Sequence, residues 1–155
     1  MTFKIISINI SKKKGEKKKP VASAILLEGV GIAGDAHAGF KHRQVSLLAT
    51  ESIAKITKLG LNAGPGDFAE NITTEGIGLS SLPIGTKIQL GDCILLEVTQ
   101  IGKECHDRCA IFKQVGDCVM PREGIFARVL EGGMLNIGDI GKVLSCHCEQ
   151  SEAIP

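Results

Sequence analysis

The chain contains no tryptophan and no tyrosine, and its five phenylalanines make an aromatic share of only 3%. That argues against aromatic platforms on which nucleic-acid bases or sugars would stack. The formal net charge is +1, so no global field selects nucleic acid or a membrane surface, and neither is expected as a partner. No apolar run approaches the ~18 residues of a membrane span. The first ten residues are interrupted by Lys4, Ser7 and Asn9 and do not read as a signal peptide. The expectation is a soluble, unexported protein of the cytoplasm. There is also no P-loop, no G-x-G-x-x-G between strand and helix, and no H-E-x-x-H, so pockets of those kinds are not indicated.

What is present is an ordinary globular composition of 43% hydrophobic and 23% charged residues with 19 glycines. At 155 residues, the chain fits one domain that buries about two-thirds of its unfolded surface. We assign that domain to residues 1–145 and expect residues 146–155 to form a flexible tail. FKIISINI (3–10) and VASAILLEGVGI (21–32) are rich in β-branched residues and read as strands. Between them, six lysines in the eight residues Lys12 to Lys19 suggest an exposed loop that cannot pack. GIAGDAHAGFKHRQVSLLAT (31–50) winds glycines around Asp35, His37, His42 and Arg43 before the strand-like QVSLL. TESIAKITKLG (50–60) reads as a helix capped by Thr50, with Ile53, Ile56 and Leu59 on one face and Gly60 at its end. A second glycine-rich turn, residues 64–76, carries Asp67, Glu70 and Asn71. Ile84–Leu90 and Cys93–Val98 suggest a hairpin with Cys93 in the core, and residues 124–144 suggest another. Short strands, regular turns and one clear helix imply a mainly β fold: a closed β-barrel with a few short helices.

The chemistry concentrates in VTQIGKECHDRCAIFKQVGDC (98–118), where Cys105 and Cys109 flank His106 and Arg108, Lys103 stands nearby and Cys118 follows. A large core without a signal peptide favours reduced thiols over a disulfide framework. A thiol beside cationic groups ionises more easily, and a thiolate is both a nucleophile and a soft-metal ligand. Structural zinc normally uses paired C-x2–4-C knuckles, and a redox dithiol uses C-x-x-C. Neither pattern is complete here. What remains is a barrel whose loops gather basic side chains and a thiol, a combination suited to an anionic cofactor bearing sulfur or a soft metal.

Four ordered stretches narrow this: GDAHAGFKHRQVSLL (34–48), GDFAENITTEGIGL (66–79), LPIGTKIQLGDCILLEVTQIGKECH (82–106) and MPREGIFARVLEGG (120–133). Together they resemble the MOSC domain, named after the C-terminal domain of molybdenum cofactor sulfurases, over residues 3–144. The resemblance implies a β-barrel that handles the molybdenum cofactor (molybdopterin) or carries sulfur for metal–sulfur centres. It makes Cys105 the residue expected to hold persulfide sulfur or molybdenum. It also makes His37, His42, Arg43, Gln44, Glu70, Asn71 and Arg122 pocket residues, with Lys103 near the anionic cofactor. Sulfurases of this pyridoxal phosphate-linked family fuse the domain to a cysteine desulfurase module, which a chain of this length does not contain. No pyridoxal phosphate is therefore expected within it. The implied partners are a cysteine desulfurase, a cofactor-biosynthesis protein or a molybdoenzyme.

Three functional readings stand side by side. The first is a sulfur carrier or cofactor-binding protein working through Cys105. The second is an enzyme, sulfur-transferring or acting on bound molybdopterin, in the latter case with His37 or His42 as acid–base group. The third is a noncatalytic barrel whose lysine loop docks an acidic protein surface.

Overall fold

A computed structural model of the chain describes residues 2–12, 18–36, 38, 39, 44–58, 60, 64–66, 68, 70–102 and 123–144. In chain order the strands are β1 (Thr2–Ile10), β2 (Lys19–Val21), β3 (Ser23–Leu27), β4 (Gly31–Ile32), β5 (Val45–Ala49), β6 (Ile72–Glu75), β7 (Lys87–Leu90), β8 (Ile94–Ile101), β9 (Ile125–Glu131), β10 (Gly133–Asn136) and β11 (Ile140–Val143). Seven of them close into a barrel in the order β1, β11, β7, β8, β9, β5, β6, with β6 pairing back onto β1. β2 hangs on β1 outside the ring, and β10, β3 and β4 form a second, three-stranded sheet. The helices among the described residues are α1 (Thr50–Thr57) and a 3-10 turn at Leu79–Ser81.

All barrel pairings are antiparallel except β5 with β6. Parallel neighbours need a crossover rather than a hairpin. α1 opens that crossover and packs on β5 and β6. This is why every residue of VSLLA is buried. Val45, Leu47 and Ala49 join the central core, while Ser46 and Leu48 lie on the alternate face. Ile53 and Ile56 are buried as the helical spacing requires, whereas Leu59 lies outside the described residues.

Closure is made where β1 meets β11, with Phe3 opposite Gly141. The Phe3 ring lies over Gly141, and a Cβ there would run into three of its ring carbons. Glycine at this point lets a large aromatic fill the seam between the first and last strands.

Several local expectations change. The segment read as one strand over 21–32 is a strand, a turn at 28–30 and a short return strand, because Gly29 adopts a positive φ of 70°. Residues 124–144 are not a hairpin: β10 leaves β9 to pair with β3, and β11 goes on to β7 and β1. A side chain at Gly132, the hinge of that departure, would strike the Leu26 carbonyl oxygen. Thr50 does not cap α1; it is the first helical residue, Ala49 holds the cap position, and the Thr50 hydroxyl donates to Glu51. Cys93 is exposed rather than in the core, because the Gly91–Cys93 turn lifts it out before β8 begins.

Replacing Gly141 with valine puts a branched side chain where the Phe3 ring sits. Unfolding in urea is expected to show a loss of about 1–3 kcal/mol, with Gly138→Ala, in open space but at positive φ, as the backbone-only comparison.

Candidate functional site

Ladder register shifts between Ile5 and Ser7, leaving Ile6 as an extra residue in β1. Ile5 and Ile8 consequently both reach the core, although they are three positions apart. Ser7 and Asn9 turn to the opposite face, beside Thr73. All three are buried, so their polar atoms must find partners within the protein.

They do so in one chain of bonds. The Ser7 hydroxyl donates to Asn9 Oδ1 at 2.7 Å, and Asn9 Nδ2 donates to Thr73 Oγ1 at 3.1 Å and to the Glu70 carbonyl at 3.3 Å. The Thr73 hydroxyl donates to Glu70 Oε2 at 2.8 Å, and the Gly66 amide donates to the same oxygen at 3.0 Å. Asn71 works as a staple: its Oδ1 accepts from the Ser46 amide at 3.0 Å and the Ser46 hydroxyl at 3.2 Å, and its Nδ2 donates to the Asn9 carbonyl at 3.2 Å. It thereby ties β5 to the end of β1.

Lys18 belongs to the lysine run expected to be solvated, yet its side chain and that of Asp35 are both 0% exposed and ion-paired at 2.8 Å. Lys18 Nζ also donates to the Ser11 hydroxyl at 3.1 Å, and the Ser11 amide donates to Asp35 Oδ1 at 3.1 Å. Burial of two charges is sustained only by close pairing and additional hydrogen bonds. The Lys18 amide donates to the Gly66 carbonyl at 2.9 Å. A side chain on Gly66, whose φ is 89°, would strike the Lys18 carbonyl oxygen. The β1–β2 loop, the Asp35 loop and the Glu70 loop are thus fastened to one another at the end of β1.

Glu70 is the anomaly of this cluster. It is fully buried, and its second oxygen, Oε1, has no hydrogen-bond partner among the described residues. Desolvation by burial raises its carboxyl above the ordinary 4.5, against the opposing pull of the hydrogen bonds from Gly66 and Thr73.

Of the residues singled out from sequence, Glu70 and Asn71 lie together in this network. Gln44 is buried and accepts from the Val129 amide at 3.0 Å, binding the start of β5 to β9. His37, His42, Arg43, Lys103, Cys105 and Arg122 lie outside the described residues. Ile101, Ile125, Leu47, Ile72 and Ile8 form one row across the sheet. Gly102, whose amide donates to the Gly124 carbonyl at 2.6 Å, leads toward Cys105 on one side of that row. Asn9, Gln44, Glu70 and Asn71 stand on the other side. Sequence reasoning did not select Lys18, Ser7, Asn9 or Thr73. The available signal was Ser7 and Asn9 interrupting an otherwise apolar strand.

Two stability measurements test this arrangement. A raised carboxyl contributes stability that is complete below its unfolded value and is lost as pH rises through its folded one. Wild type is therefore expected to weaken as pH climbs above about 4.5. Glu70→Gln removes that slope, so urea midpoints for the variant should exceed wild type at neutral pH and converge with it in acid. Asp35→Ala removes the carboxylate paired at 2.8 Å with the buried Lys18 ammonium and is expected to cost up to about 3–5 kcal/mol, read as a fall in the same midpoint.

Comparison with known proteins follows the same fold. The solved structure of the YuaD protein from Bacillus subtilis superposes with a TM-score of 0.74 at 22% identity, over 92% of this chain and 96% of that one. YiiM from Geobacillus stearothermophilus gives 0.68 at 21% identity, over 92% of this chain and 75% of its own. YiiM from Escherichia coli gives 0.67 at 17% identity, over 94% and 70%. At such identities the likeness shows the fold alone. Among curated protein sequences, none matches this chain. The sequence pattern of the MOSC domain, however, matches residues 34–140, more than half the chain and inclusive of the stretches that bear Asp35, Glu70 and Cys105. This chain belongs to the MOSC domain family, which is linked in general to molybdenum cofactor-related function.

Proposed function

We propose that this protein carries sulfur, or binds molybdenum, for the molybdenum cofactor, with Cys105 as the thiol that does so. The observation that carries the reading is the family match over residues 34–140, which includes both glycine-rich loops and the segment with Cys105. The donor chemistry agrees with it. His37, His42, Arg43, Lys103 and Arg122 offer cationic and hydrogen-bonding groups for an anionic pterin. A Cys105 thiolate is a soft ligand and a nucleophile.

One feature of the fold supports an anionic ligand. Among the described residues the buried Oε1 of Glu70 lacks a partner, and burial favours its neutral carboxyl. A neutral carboxyl donates a hydrogen bond and does not repel an anion. Such a cofactor would be held through Arg43, His42, Lys103 and Arg122, while Glu70 fastens the Gly66 turn to the end of β1. When bound, it would supply a molybdenum centre that takes sulfur ligands.

For sulfur carriage, the Cys105 thiolate attacks the outer sulfur of a donor persulfide. The new sulfur–sulfur bond leaves that sulfur on Cys105, and the donor departs as a thiolate. The donor in this reading is a cysteine desulfurase, whose pyridoxal phosphate belongs to the partner chain.

Intact mass spectrometry of the purified protein, incubated with a cysteine desulfurase and cysteine, tests the reading alongside elemental analysis for molybdenum. Wild type is expected to gain the mass of one sulfur atom and Cys105→Ser to gain none. Neither sulfur nor molybdenum in either protein would overturn it.

A further inference from the structure

Exposed apolar side chains are usually scattered singly over a protein surface, and a contiguous group marks an interaction site. Ile25 and Leu27 alternate along β3 and face the same side. Met134 on β10 stands directly opposite Ile25 in the antiparallel ladder, so the two side chains lie next to one another. Their exposures are 49%, 42% and 61%, whereas Leu26 and Leu135 between them are buried in the core. Met134 continues into a cleft of about 520 Å³, whose walls include Asp92, Cys93, Asp139 and Ile140. Ile140 is itself 53% exposed.

Among the described residues the charged groups beside this strip are acidic except at the Ile140 end, where Lys4 and Lys142 stand. None of the residues lining the cleft is basic, and Asp92 and Asp139 are its charged groups. Glu28 follows Leu27 directly, and Glu131 precedes Gly132, which passes against the backbone of Leu26 and Glu28. None of these four carboxylates takes part in an ion pair among the described residues. Lys4, opposite Ile140 in the β1–β11 ladder, marks where the acidic border stops.

From this we infer that the outer face of the β10–β3–β4 sheet and its adjoining cleft dock a segment of a partner protein that combines apolar side chains with lysine or arginine. The border excludes the other occupants on physical grounds. A second copy meeting this face through two-fold symmetry would set one acidic border against another. An anionic lipid surface would be repelled by the same carboxylates. A basic, apolar segment satisfies both halves of the surface. The inference does not depend on Cys105 or on the cofactor.

The test uses a fluorescein-labelled peptide of alternating leucine and lysine, with an alternating leucine and glutamate peptide as the charge-reversed control. Fluorescence anisotropy is expected to show binding of the lysine peptide to wild type that weakens with added salt. Met134→Asp and the double variant Asp92→Lys with Glu131→Lys are each expected to weaken it about tenfold or more. Asp139 is left unchanged because its carboxylate accepts from the Asn136 amide at 2.9 Å and holds the turn. Circular dichroism of each variant confirms that the fold is retained. Equal binding of the glutamate peptide, or indifference to Met134→Asp in a folded variant, overturns the inference. So does sedimentation showing a wild-type dimer that Met134→Asp dissociates, since a second copy would then cover the face.

Discussion

One extra residue in β1, Ile6, changes which way the rest of the strand faces. Up to Ile5 the alternation sends Phe3 and Ile5 inward; beyond the bulge it sends Ile8 inward and leaves Ser7 and Asn9 on the other face. Without the shift, Asn9 would enter an aliphatic interior and Ile8 would leave it. With it, the strand that closes the barrel through Phe3 and Gly141 also supplies the buried amide on which the neighbouring loops are built. Thr73 and the Glu70 carbonyl accept from that amide directly, while Asn71, and Ser46 through it, is held at the Asn9 backbone carbonyl.

Electrostatics then decides how tightly those loops are held. Lys18 and Asp35 are wholly removed from water, and such a pair adds little net stability compared with apolar packing. Its effect is geometric, since the pair and Ser11 together hold Lys18 and the end of β1 against Asp35. Glu70 stands differently. Its Oε2 is anchored by Gly66 and Thr73, while its buried Oε1 has no partner among the described residues. A carboxyl in that state favours its proton and can donate a hydrogen bond. Asp35 and Gln44 bracket the chain that carries His37, His42 and Arg43, so this rigid cluster is the footing of the loop on which the proposed cofactor binding depends.

The barrel was legible because it follows from local patterning: β-branched runs, alternation and glycine-centred turns do not require knowledge of distant residues. The helix was legible for the same reason, from Ile53 and Ile56 one turn apart. Strand partners were less accessible. The continuous look of residues 124–144 gave no indication that β10 would cross to β3, since pairing is settled by which edge is free and by the contact between Gly132 and Leu26. Cys93 was placed in the core by its apolar neighbours, and a single turn residue reversed that. Glu70 and Asn71 were selectable as polar residues in a glycine-rich turn, but the partners of Asn71, 25 to 62 positions away, were not.

The sequence by itself determined the class of fold, the family, and the residue types available for chemistry, because each of these is written in order and spacing along the chain. Only the tertiary structure decided which polar groups are buried together and which apolar groups stay exposed. A lysine among lysines reads as solvated until the fold brings Asp35 against it, and Cys93 reads as core until the Gly91–Cys93 turn puts it on the surface. Burial and pairing are properties of the assembled surface, and a residue's own neighbours in sequence carry little of that information.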